Sequence, residues 1–284
     1  MLKHHSGSHT AALLKGIQRL EPLPVTARMI VSHMNGADSS LQAVAEIVEN
    51  DAAVTANILR QACSSRFAGY DPPATVAAAI ARLGNESLLA IIMGGHLQKL
   101  GGSPLHDLSQ DELWRHSAAA RLAALVITEE APKGLVPPIA CTAALLHDIG
   151  KVIMSQVLDA SPGDMRAYVA EHGGTFVDAE RELFGMDHAA IGALVAERWN
   201  LPPDIVDGIA RHHALAMEAP SAVLDVVIVA NCIAKALSHG LGSEGFNFPV
   251  DKPAVRRLRL GFPAIGRICL RTDDLLRELQ ELMT

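Results

Sequence analysis

Five histidines and one aspartate in the second half of this chain have the types and spacing for metal chemistry: His116, His147, Asp148, His188, His212 and His213. His147 and Asp148 are adjacent in the apolar stretch L-L-H-D-I-G-K, residues 145–151. Neutral imidazole is the commonest side-chain metal ligand, and a carboxylate can share its oxygens between two ions. Lys151 lies four residues after His147, on the same face of a helix. Its ammonium can meet a phosphate oxygen or pair with a carboxylate.

Any one of these histidines alone is better explained as a packed core or helix-end residue. The spacing decides for the set. His188 shares a helix face with Ile191 and Val195, His212 follows Ile205 and Ile209, and His116 follows Leu113 by three. All three therefore point inward, and Gly192 leaves room beside His188. Several inward histidines with an aspartate are costly to bury without a purpose, and metal ligation supplies one.

The elements that must position these residues are helical. Alanine and leucine dominate, aromatics are only 4%, and no alternating strand pattern of useful length occurs, so the fold class is all-α. Asp38 or Ser39, then Asp51, then Ser109 or Asp111, and Asp187 are placed as helix N-caps. Pro137-Pro138 opens the Leu145–Val157 helix, Pro202-Pro203 opens one ending at His212-His213, and a long apolar helix runs over 223–237. Gly101-Gly102-Ser103-Pro104 is the clearest linker. It divides the chain into an N-terminal helical lobe, 1–103, and a second lobe, 104–284, that holds every candidate ligand. The opening His4–His9 segment carries no fold signal.

Composition excludes several function classes. With 49% apolar residues the chain folds, and a net charge of −7 argues against a general nucleic-acid binder. Arg256, Arg257, Arg259, Arg267 and Arg271 form one basic cluster, either a solvated helix face or a docking patch for an acidic partner. Cys63, Cys141, Cys232 and Cys269 are scattered among apolar residues without a C-x-x-C, so buried free thiols are expected. No signal-peptide pattern and no long uncharged apolar run occurs, which points to a cytoplasmic protein with no membrane partner.

The order H…HD…H…HH resembles the HD superfamily of metal-dependent phosphohydrolases and, more narrowly, the HDOD family, an HD-related output domain of bacterial signalling proteins. The resemblance covers roughly 13–237. It rests on L-E-P-L-P-V (20–25), I-V-E-N-D-A-A-V-T-A-N-I-L-R (47–60), A-A-A-I-A-R-L-G (77–84), L-W-R-H-S (113–117), A-A-L-L-H-D-I-G-K (143–151), E-R-E-L-F-G-M-D-H (180–188), W-N-L-P (199–202) and the His212-His213 pair. It implies an N-terminal helical lobe packed on an HD-type helical bundle. It also implies one or two divalent transition-metal ions (iron, manganese, nickel or zinc) held by His116, His147, Asp148, His188, His212 and His213. Two departures stand out. The superfamily's closing aspartate is Asn231 here, in V-I-V-A-N (227–231), and no G-Y-P follows the His-His pair. Asp225 is no substitute, because six helical residues turn it about 120° away from Asn231.

The resemblance supports a regulatory or scaffolding module with signalling proteins as partners. The intact histidines support instead a phosphohydrolase or phosphodiesterase acting on a nucleotide or other phosphate ester, with Asp148 and Lys151 as its catalytic residues. A helical interaction protein without metal is the plain alternative. The sequence leaves the metal's identity, the substrate and the oligomeric state open.

Overall fold

The computed structural model describes residues 6–20, 22–34, 41–67, 69–99, 109–158, 162–214, 220–237 and 252–281. Of these residues 78% are helical and none is in a strand. The first six helices are α1 (Ser6–Arg19), α2 (Val25–Met34), α3 (Leu41–Glu49), α4 (Ala52–Ala62), α5 (Val76–Leu83) and α6 (Asn85–Lys99). Then come α7 (Gln110–Glu130), α8 (Ala140–Leu146), α9 (Ile149–Val157), α10 (Pro162–His172), α11 (Phe176–Phe184) and α12 (His188–Arg198). The last four are α13 (Pro203–Arg211), α14 (Ala222–Ala236), α15 (Lys252–Arg257) and α16 (Phe262–Glu281). No single helix among the described residues is long and apolar enough to cross a membrane.

Local chemistry accounts for most boundaries. Asp51 accepts from the Val54 amide at the start of α4, and Thr75 caps α5. Ser109 opens α7 with a reciprocal capping box to Glu112. Asp187 accepts from the Ala190 amide at the start of α12. The caps expected at Asp38 or Ser39 and the linker at 101–104 lie outside the described residues.

α7 is the axis of the second lobe. Its alanines at 118, 119, 120, 123 and 124 are buried, and the small side chains let α8, α14 and α16 pack closely around it. α2, α3, α4 and α5 pack among themselves and with α6, and α6 seats this group on α7 and α8. α1 goes elsewhere. It lies on α9, α11 and α12, with Gly16 so close to Val157 that a Cβ would sit 2.4 Å from Cγ2.

Three expectations need correction. The run through His147 and Asp148 is not one helix: α8 ends at Leu146, and Asp148 has φ −100° and ψ 11°. The opening segment contributes to a helix, Ser6–Arg19. His9 donates from Nδ1 to the Leu183 carbonyl at 3.1 Å, and Thr10 donates to that of Phe184. Of the four cysteines only Cys141 is buried; Cys63, in the turn after α4, is exposed, and Cys232 and Cys269 are half-buried.

Of the arginine cluster, Arg256 and Arg259 are exposed and the other three are paired. Arg257 grips the buried Asp225 through Nε and Nη2, Arg267 pairs with Glu130, and Arg271 pairs with Glu129. These pairs fasten α15 to α14 and α16 to the end of α7.

Candidate metal centre

The turn between α8 and α9 creates the site. Successive residues in an unbroken helix point about 100° apart. Leaving the helical conformation at Asp148 lets its carboxylate and the His147 ring face one another, with His147 Nε2 3.5 Å from Asp148 Oδ2. α9 then crosses α12 almost backbone on backbone. A Cβ on Gly150 would stand 1.9 Å from the His188 carbonyl oxygen, and one on Gly192 would stand 2.8 Å from Ile209 Cγ2. The room that Gly192 leaves is therefore filled by α9 and α13. This crossing brings His188, at the first position of α12, onto Asp148.

Asp148 is the hub. Its Oδ2 faces His116 Nε2 and His147 Nε2, each at 3.5 Å, and accepts from Lys151 Nζ at 2.9 Å. Its Oδ1 faces His188 Nε2 at 3.2 Å and His212 Nε2 at 3.7 Å, without the alignment of a hydrogen bond. His213 Nε2 lies 2.9 Å from His188 Nε2. Two sets of ligand-type atoms result, Asp148 with His116 and His147, and Asp148 with His188, His212 and His213, each set spanning no more than 4.8 Å. The structure thus brings together all six expected ligands. His213 joins them although its sequence position favoured an ordinary helix end. Lys151 enters as the carboxylate's partner.

The ring orientations suit metal binding. His147 donates from Nδ1 to the Ala144 carbonyl and His212 from Nδ1 to that of Ile209, both at 2.7 Å. Each bond fixes the tautomer and leaves the Nε2 lone pair turned to the centre. His188 is held from behind by Glu180, whose Oε2 lies 2.7 Å from Nδ1 and 2.8 Å from the backbone nitrogen. In turn Glu180 is set by α11, which starts in a Thr175–Asp178 capping box and ends at Gly185 in the left-handed region.

Electrostatics follows from burial. His116, His147, Asp148, Lys151, Glu180, His188 and His212 are all buried. Burial pushes His147, His212 and His213 below the ordinary imidazole value, so these rings stay neutral. Burial also works to raise Asp148, but the Lys151 ammonium overcomes it and holds the carboxyl well below its usual range. Burial disfavours protonated His188, yet the Glu180 carboxylate outweighs it and pushes the ring up to about 9. Lone pairs on neutral His147, His212 and His213, an ionised carboxylate and an Oδ1 with no hydrogen bond form a donor set that fits a divalent transition-metal ion.

Glu180 is the residue that sequence reasoning missed. It lies on the buried stripe of α11 with Phe176, Leu183 and Phe184, and a carboxylate on an apolar face implies a buried partner. Asp225 points away, as its helical angle requires, and is taken by Arg257. Asn231 is buried on α14, and its Oδ1 has no hydrogen-bond partner among the described residues.

Comparison with known proteins places this geometry. An HDOD domain crystal structure from Geobacter sulfurreducens, of unknown function, is 29% identical and covers 94% of this chain and 88% of its own, with TM-score 0.67. One from Shewanella amazonensis SB2B, provisionally named a phosphohydrolase, is 22% identical over 94% of this chain and 95% of its own, with TM-score 0.67. One from Marinobacter aquaeolei VT8, provisionally named a signal transduction protein, is 20% identical over 99% of this chain and 65% of its own, with TM-score 0.65. An uncharacterised curated relative from Treponema pallidum (strain Nichols) is 23% identical over 226 residues; the match covers 78% of this chain but only 43% of the relative. The HDOD domain model matches residues 20–215, most of the chain and all six candidate ligands, and the chain belongs to the HDOD family.

Proposed function

We propose that this chain is a regulatory module whose Asp148 centre holds one or two divalent transition-metal ions, with iron, manganese, nickel and zinc as the metals its donors suit. The observation that carries the metal is Asp148 Oδ1, a buried carboxylate oxygen with no hydrogen bond, faced by the Nε2 atoms of His188 and His212. In this reading His116 and His147 serve the Oδ2 side, and His188, His212 and His213 serve the Oδ1 side. Asp148 would serve both sides. These residues, from α7, the α8–α9 turn, α12 and the end of α13, would hold the ion, which would supply Lewis acidity. Lys151 balances the carboxylate's charge, and Glu180 keeps the His188 ring in place.

The regulatory role is supported by the burial of the centre and by the neutral Asn231 where the hydrolases it resembles carry an aspartate. Partner signalling proteins in the cytoplasm would read the surface of the N-terminal helical group α2 to α5. The Lys151 ammonium, 2.9 Å from Asp148, favours a second reading. It would steady charge developing on a phosphate ester, making the centre a phosphohydrolase.

The test is elemental analysis of the protein purified without chelator, beside the His147→Ala/Asp148→Ala double variant. One or two transition-metal ions per chain in the natural protein and none in the variant is the expected result. Absence of metal from both, even after loading with each of the four ions, would sink the proposal. Asn231→Asp then separates the readings. Phosphodiesterase activity in that variant alone marks the natural chain as regulatory, and activity in the natural chain marks it as an enzyme.

A further inference from the structure

α7 has two working faces. Trp114, Ala118 and Arg121 follow one another at i, i+4 and i+7, so they share a stripe. His116 lies about 200° round the helix from Trp114, turned to the metal centre. The Trp114 stripe lines a cavity of about 350 Å³ closed on the other side by α4 and α6 and at one end by Leu279 of α16. That volume falls in the range of small-molecule sites.

Arg121 is 8% exposed. Among the described residues no carboxylate or carbonyl pairs with it, and the other guanidinium it feels, that of Arg66, repels it. Desolvation pushes its pKa down, the Cys141 thiol works against that shift, and Arg66 adds to it. The remaining charges lining the cavity are Arg60 and Asp51, one of each sign, so the Arg121 charge is the one left over. A buried unpaired guanidinium is among the costliest features a fold can retain.

We infer that this cavity is a second ligand site, distinct from the Asp148 centre, for a small organic anion. Its negative head pairs with Arg121 and its planar apolar body lies along Trp114. Guanidinium matches either a carboxylate or a phosphate ester bidentately, and the indole offers the flat wall. Because α4 and α6 form one side and α7 and α8 the other, an occupant touches both lobes. It also touches the helix that carries His116 and, through Leu145, the one that leads to His147.

The experiment titrates the full chain with adenosine 5′-monophosphate, benzoate and inorganic phosphate, reading Trp114 fluorescence in a Trp199→Phe background and melting temperature. A saturable change with the nucleotide or the benzoate, at least tenfold weaker in Arg121→Met and retained in His147→Ala, supports the site. Which of the two responds assigns the head group as phosphate or carboxylate, and inorganic phosphate measures the head alone. Without ligand, Arg121→Met should melt no lower than the natural chain. The inference is overturned by no response to any probe, by a response that survives Arg121→Met, by one lost in His147→Ala, or by a ligand-free Arg121→Met that melts markedly lower.

Discussion

The Asp148 centre and the Arg121 cavity keep charge from water in opposite ways. At Asp148 most of the charged or ligating groups are backed by another: Lys151 against the carboxylate, Glu180 against His188, the Ala144 and Ile209 carbonyls against His147 and His212. Around Arg121 the described residues supply no such partner. The contrast teaches that burial alone does not mark a site's chemistry. A surrounded charge marks a centre whose geometry is fixed in advance, and an isolated one marks a space whose partner comes from outside.

The largest expected effect falls on the surrounded centre. Glu180→Ala takes the carboxylate from His188 Nδ1 and from the His188 amide in a buried interior and should cost about 3–5 kcal/mol, measured by urea unfolding. A loss under about 1 kcal/mol would mean that the second ring of partners is ornamental. Gly150→Ala is next. Its Cβ cannot coexist with the His188 carbonyl at 1.9 Å, so α9 and α12 must separate at a cost of about 3 kcal/mol. Metal content should fall with stability; full metal content in a stable variant would show that the crossing does not position the ligands.

Arg121→Met tests the other half of the comparison and carries the opposite sign, a gain of about 1 kcal/mol or more by urea unfolding. A loss would give Arg121 a structural partner and erase the contrast. Smallest is Thr175→Ala, which removes the cap of α11 for about 1 kcal/mol. It calibrates a hydrogen-bonded carboxylate that stays wet. The Thr175 hydroxyl and amide hold Asp178 below its usual pKa in the folded state. Its contribution is therefore present above the unfolded value and lost as pH falls through the folded one. Unfolding curves should show the wild-type advantage shrinking in acid; an advantage that grows there would reverse the assignment.

The all-helical class, the caps at Asp51, Ser109 and Asp187, and the inward turn of His116, His188 and His212 were legible because each depends on spacing within one helix. The break at His147-Asp148 was not. No proline or glycine marks it, and the apolar pattern runs straight through, so only the packing around Asp148 shows it. Glu180 and Arg121 escaped notice for a related reason. Each is a single charge in an apolar stripe, and its meaning depends on what a distant helix places opposite. The ion pairs of Arg257, Arg267 and Arg271 join segments far apart in sequence, which is why their cluster looked like surface.

The seat of α1 on α9, α11 and α12 has a consequence for the order of folding. Its tethers run from His9 and Thr10 to Leu183 and Phe184 and from Arg198 back to Gln18, spanning 174 and 180 residues. During synthesis α1 emerges before its docking surface exists and must wait while about ten further helices are translated. Contacts of such long range close late and slowly. The helix pair at the heart of the centre, α9 and α12, is thus sealed on one side by a helix from far upstream in the sequence, in a late step of folding.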